Sequence, residues 1–186
     1  AGVDWFYWQI GYEVEKKPGQ IVMPSHDILF QGNAYSDARK KLGSMLLHLD
    51  LYVGLYGSWP KNYKASGMTL YDFDAGYALY RNCKITIGDS QWPHATGFVS
   101  NRLFQAMAAG AFLLHQRIDG MEELLGLHDG EHLVIWDDLI DLEKKIRYYL
   151  KHPDERKQIA KTGQGYVLKY HSFDARVDEL FERLYA

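Results

Sequence analysis

At 186 residues, with 47% hydrophobic and 24% charged side chains, the chain is long enough to bury a sizeable core in one domain, which excludes a disordered segment. Its net charge of −3 gives no general attraction to phosphate backbones, so nucleic acid is not an expected partner. The single cysteine, Cys83, excludes an internal disulfide, and no apolar run approaches the roughly 18 residues that span a bilayer, so a cytoplasmic protein without a membrane span is expected.

Residues 1–26 are punctuated by Pro18-Gly19 and Met23-Pro24-Ser25-His26 and read as an N-terminal arm or interdomain hinge. With Ala1 in place of a leading Met, the chain reads as a fragment or as a trimmed form. From Asp27 to the end, short apolar runs alternate with helical patterns, which predicts an α/β domain over 27–186: a mainly parallel sheet with helices on both faces. The expected strands are 28–30, 51–56, 84–87, 111–114 and 132–135. The first two intervening helices are expected over 37–49, striped by Leu42, Met45, Leu46 and Leu49, and over 72–82. Between them, 58–67 reads as a polar-aromatic loop at the carboxyl end of a strand, the edge where open α/β sheets bind ligands. A small-residue helix over 100–110, with Ala106, Ala108, Ala109 and Gly110, runs directly into a strand and implies close backbone packing. Three helices follow the last strand, over 138–150, 153–170 and 173–184, with Asp137 and Ser172 fitting N-caps and Pro153 a first turn.

Several constellations carry possible chemistry, each beside a plainer alternative. Gly32-Asn33 follows a strand and precedes a helix, a place for a phosphate or simply a tight turn. Arg39 would clamp a diphosphate or sit on a solvated helix face. Thr96-Gly97-Phe98-Val99-Ser100-Asn101-Arg102 leads into a helix whose unpaired N–H groups can face an anion, or forms an exposed cap. Asp72-Phe73-Asp74 spells a metal-binding D-x-D, yet it opens a helix, where capping explains it, and no metal site is expected. Cys83 reads as a small buried hydrophobe. The aromatic content of 15% fits carbohydrate contacts or ordinary packing.

The run Asp27-Ile28-Leu29-Phe30-Gln31-Gly32-Asn33, with Thr96 to Leu114, resembles the donor-binding segment of group 1 GT-B glycosyltransferases, in the branch similar to spore-maturation glycosyltransferases. The resemblance implies the C-terminal, Rossmann-like half of a GT-B fold and a metal-independent transfer of sugar from a nucleoside-diphosphate sugar to an acceptor hydroxyl. No cofactor beyond that substrate is implied, and the acceptor side would come from an N-terminal domain or partner subunit. Gly32, Asn33, Arg39, Gly97, Phe98, Asn101 and Arg102 would hold the diphosphate, with Arg102 neutralising the leaving group. Gln105 would approach the ribose, and Glu122 or Glu123, after Asp119-Gly120-Met121, would reach ribose or sugar hydroxyls. The pattern departs from the family at two places. Gln105 stands where a glutamate is usual, and Gly97 stands where many members carry a second one. A non-catalytic nucleotide- or sugar-binding module of the same fold is therefore the main alternative. A flavodoxin-like or receiver-like domain is disfavoured, because the first strand ends Gln31-Gly32-Asn33 without an acidic cluster.

Overall fold

The computed structural model describes residues 8, 11–13, 23–67 and 73–185. Five parallel strands, β1 (His26–Gln31), β2 (Val53–Tyr56), β3 (Cys83–Gly88), β4 (Leu113–Gln116) and β5 (Val134–Trp136), form one sheet in the order β2-β1-β3-β4-β5. Ile28 pairs with Val53 on one side and Ile85 on the other, and Leu114 pairs with Val134. The strands are apolar on both faces because both faces are covered. Helices α1 (Asp37–His48) and α5 (Leu139–Lys151) cover one face, placing Leu42, Leu46, Leu142 and Ile146 over Ile28, Phe30 and Ile85. Helices α2 (Phe73–Arg81), α3 (Asn101–Ala108) and α4 (Met121–Leu125) cover the other, where Leu79, Phe104 and Met121 join Leu29 and Leu113 in a second core. The chain therefore leaves β1 toward β2, returns past β1 to β3, and continues outward. That reversal is the switch point of a doubly wound sheet.

The helix–strand join after α3 is a Schellman motif: Ala111 N–H donates to Ala106 C=O, Gly110 N–H donates to Met107 C=O, and Gly110 takes a φ of 79°. The cap uses Ala111, so β4 starts at Leu113, two residues later than expected. The small residues of α3 serve helix packing. Helix α6 (Pro153–Tyr170) crosses beneath the sheet against α3, with Ile159 in one core and Val167 in the other. At Gly163 helix α6 also meets the segment before β5, so closely that a Cβ would lie 2.0 Å from His132 C=O. Asp138, not Asp137, caps α5 by accepting from the N–H groups of Ile140 and Asp141, while Asp137 pairs with Arg117. Ser172 does cap α7 (Phe173–Tyr185), accepting from Ala175 N–H.

Of the described residues in the expected arm, His26 already opens β1 and Met23 C=O accepts from Asn82 Nδ2, while the earlier ones reach the C-terminal helices. Tyr12 is buried and bridges Ser172 in parallel, Gly11 lies against the Ser172 backbone, and Trp8 Nε1 donates to Arg176 C=O. Among the described residues no helix is long and apolar enough to cross a membrane.

Candidate functional site

The carboxyl ends of β1 and β3 part at the switch point, and a narrow cleft opens there between Gln31, Gly88, Asp89, Ser100, Arg102 and His115. It encloses about 20 Å³, room for a water-sized group, so a larger ligand would lie across its mouth.

Helix α3 begins at this cleft. Ser100 caps it by accepting from Arg102 N–H, and among the described residues the N–H groups of Ser100 and Asn101 have no partner. Those donors and the positive helix end form an anion seat. The Arg102 guanidinium makes no hydrogen bond or ion pair among the described residues, and its charge acts on both Tyr80 and His115. Gln31 Oε1 is buried without a partner among the described residues and faces the same cleft. A buried acceptor left in that state favours a ligand hydroxyl or N–H, or a bridging water.

His115 sits at the end of β4, almost fully buried. Burial holds its imidazole below the ordinary histidine range, only partly offset by its hydrogen bond to Gln116 C=O. A carbonyl only accepts, so Nδ1 carries the proton and Nε2 is left as an acceptor. The ring lies where a side chain at position 88 would be: a Cβ on Gly88 would stand 2.3 Å from His115 Cδ2.

The expected diphosphate residues divide between the cleft and its walls. Asn101 and Arg102 open α3 at the cleft. Gly32 N–H is donated to Tyr56 C=O, and Asn33 Oδ1 accepts from Ser58 N–H, so this turn ties the β1 and β2 exits together. Arg39, expected to clamp a diphosphate or to lie on a solvated helix face, is turned inward. Its guanidinium is buried, grips Asp89 through Nε at 2.6 Å and Nη2 at 2.9 Å, donates to Asn33 C=O and stacks over Tyr35. The pair joins α1 to the end of β3 and cancels the Asp89 charge in the cleft wall. Gly97 has a φ of 72° and donates its N–H to Asp119 C=O, while Phe98 N–H goes to Ala95 C=O. The half-exposed Phe98 ring stands 5.1 Å from Trp92 outside the cleft.

Gln105 lies one turn below Arg102 on the same face of α3, half-buried and outside the cleft lining. Glu122 is turned to His128 at 2.8 Å, and Glu123 is exposed on α4. Asp72 lies outside the described residues, and α2 begins at Phe73. His128 and His132 stand four apart, but His132 Nδ1 accepts from His128 N–H. Among the described residues no cluster of three or more His, Cys, Asp or Glu is placed to hold a metal. Sequence reasoning missed Gln31, Asp89 and His115. Each sits at the carboxyl end of a predicted strand, and that position was the available signal.

The fold is a doubly wound domain with a cleft at its switch point, the architecture of one half of a GT-B glycosyltransferase. Residues 38–182 match the family described as glycosyl transferase-like, and the chain belongs to that family. Sucrose-phosphate synthase from Thermosynechococcus elongatus is similar over 85% of this chain and 45% of its own, at 14% identity and a TM-score of 0.64. Anabaena HepE, in complex with UDP and glucose, is similar over 86% of this chain and 48% of its own, at 14% identity and a TM-score of 0.66. A glycosyltransferase from Rickettsia africae is 18% identical over 84% of this chain and 46% of its own, with a TM-score of 0.64. The chain thus spans just under half the length of these structures. A comparison with curated protein sequences returned no match.

Proposed function

We propose that the chain is the donor-binding half of a glycosyltransferase that moves a sugar from a nucleoside-diphosphate sugar to an acceptor hydroxyl, the acceptor-binding half lying outside this sequence. The observation that carries this reading is the meeting of the Arg102 guanidinium and the α3 N-terminal N–H groups at the switch point. In the reaction the bond from the sugar to the diphosphate breaks and the diphosphate leaves with the electron pair. A bond forms to the acceptor oxygen, which loses its proton. Arg102 and the helix end would hold the growing negative charge, which a fixed cation can do without a metal. Asn101 would stay with the diphosphate, and Gln105, on the Arg102 face, would reach the ribose. Arg39 would act indirectly, keeping Asp89 from repelling the donor.

One observation favours the second reading, a non-catalytic nucleotide- or sugar-binding module. Gln105 stands where a glutamate is usual in the resembled pattern and Gly97 where many members have a second, so the ribose would be held by a neutral amide. The two readings share the binding site and differ in turnover once an acceptor half is supplied.

Calorimetric titration with UDP, GDP, ADP and TDP in metal-free buffer tests the shared part, and UDP is the first choice because the HepE complex contains it. The expected result is micromolar binding of one diphosphate, weakened at least about tenfold by Arg102→Ala. Failure of all four to bind a folded sample would overturn the reading, as would binding that Arg102→Ala leaves unchanged.

A further inference from the structure

The opposite edge of the sheet carries a second concave surface. A groove of about 370 Å³ runs between the starts of β3 and β4 and the first half of α6. Five cationic side chains line it, Arg81, Lys84, Arg156, Lys157 and Lys161, and no carboxylate does so among the described residues. In a chain of net charge −3, that concentration of one sign on one hollow is not what composition alone would scatter there. We propose that this groove is a binding site for a small phosphorylated ligand, separate from the switch-point cleft.

The cations differ in how far the protein already uses them. Lys84 pairs with Asp27 at 2.7 Å, and Arg156 Nη1 donates to Tyr149 C=O, which aims its guanidinium while leaving its remaining N–H groups for a ligand. Lys157 and Lys161 are exposed, stand one helical turn apart and make no hydrogen bond or ion pair among the described residues. The acids closest in sequence do not pair with them among the described residues: Glu155 accepts from Tyr148, and Asp154 lies outside the groove lining. Gln164, at the far end of the same helix face, is held rigid by donating Nε2 to Ala108 C=O.

Size and shape favour a compact, multiply charged group over an extended polyanion. A volume near 370 Å³ is that of a small-molecule pocket. A polymer would instead need a continuous basic stripe, which the acidic balance of the chain does not supply. The two sites lie at opposite ends of α3, with Arg102 in its first turn and Gly110 just past its last, so each can be assayed without the other.

The test is calorimetric titration of inorganic pyrophosphate into the Arg102→Ala protein, in which the cleft is disarmed, and into the same protein carrying Lys157→Glu and Lys161→Glu. Binding by the first and a loss of at least about tenfold in the second is the expected pair of results. Both lysines are exposed on a helix, and circular dichroism confirms that the fold survives. A parallel sedimentation with phosphatidylglycerol and phosphatidylcholine vesicles separates a dissolved ligand from a lipid headgroup. Absence of pyrophosphate binding, binding untouched by the two charge reversals, or association with anionic vesicles alone would each overturn the proposal. Failure of nucleoside diphosphates to bind the unmodified chain would leave it standing, because that result concerns the other edge of the sheet.

Discussion

Arg39 and Asp89 are both nearly excluded from solvent, at 3% and 10% side-chain exposure, and neither charge is tolerable there without the other. Arg39→Ala strands the Asp89 carboxylate in the cleft wall and is expected to lower stability by about 3–5 kcal/mol, measured by urea unfolding. An unchanged unfolding midpoint would show that the pair contributes nothing. The sequence showed an arginine at the start of a helix but not its direction, because the partner lies fifty residues away in a turn with no local signature. His171 illustrates a second limit. It is buried between Leu125 C=O, to which Nε2 donates, and Arg176 Nη2, which donates to Nδ1, so it is neutral in the fold. Burial and the Arg176 charge push its pKa down to about 4, from about 6.5 when unfolded. The folded state therefore binds fewer protons, and the contribution of this residue is complete above pH 6.5 and is lost as pH falls toward 4, amounting to about 3 kcal/mol. His26, His115 and His132 are shifted down by burial with the same sign. Urea midpoints should fall steadily between pH 6.5 and 4.5 and fall less steeply in His171→Gln. A flat profile in that window would contradict the assignment.

At the scale of elements, every predicted strand from Asp27 onward is present within two residues of an expected edge, and α6 was legible to the residue. Apolar runs, caps and Pro153 are local signals, and local signals survive folding well. The loop over 58–67 was legible only as a loop. Two of its rings anchor it on α1: Trp59 occupies the space above Gly43, and Tyr63 donates its hydroxyl to Lys40 C=O. Nothing in a polar-aromatic stretch says which way its rings will turn. The closeness of α3 and α6 was foreshadowed by the small residues of α3, although the partner helix was not. Gly163→Ala tests a second close approach of α6, to the segment before β5, since the added Cβ meets the backbone oxygen of His132 and no side-chain rotation relieves it. A loss of about 2–3 kcal/mol is expected, with a normal midpoint counting against so tight an approach.

For the molecule as a whole, the sheet order brings together residues that are far apart in sequence. Gln31, Asp89, Arg102 and His115 come from the ends of three strands and the start of one helix, and they meet only because the chain reverses direction between β1 and β3. The class of fold was readable from the alternation of elements, and the family from two short motifs. The composition of the cleft was not, because adjacency across a parallel sheet is set by crossover order and leaves no mark within one segment. The charge distribution belongs to this scale as well. One edge of the sheet carries the cleft with Arg102 and the other carries the basic groove, on a chain that is acidic overall.

The most direct test of the account is nuclear magnetic resonance of the labelled chain titrated with UDP in metal-free buffer. Amide shifts confined to the α3 start at Ser100 to Arg102, the β1 exit at Gln31 and the β3 and β4 ends at Asp89 and His115 are the predicted result. Shifts centred elsewhere, or none at millimolar UDP and its guanine, adenine and thymine counterparts, would contradict the placement of the donor at the switch point.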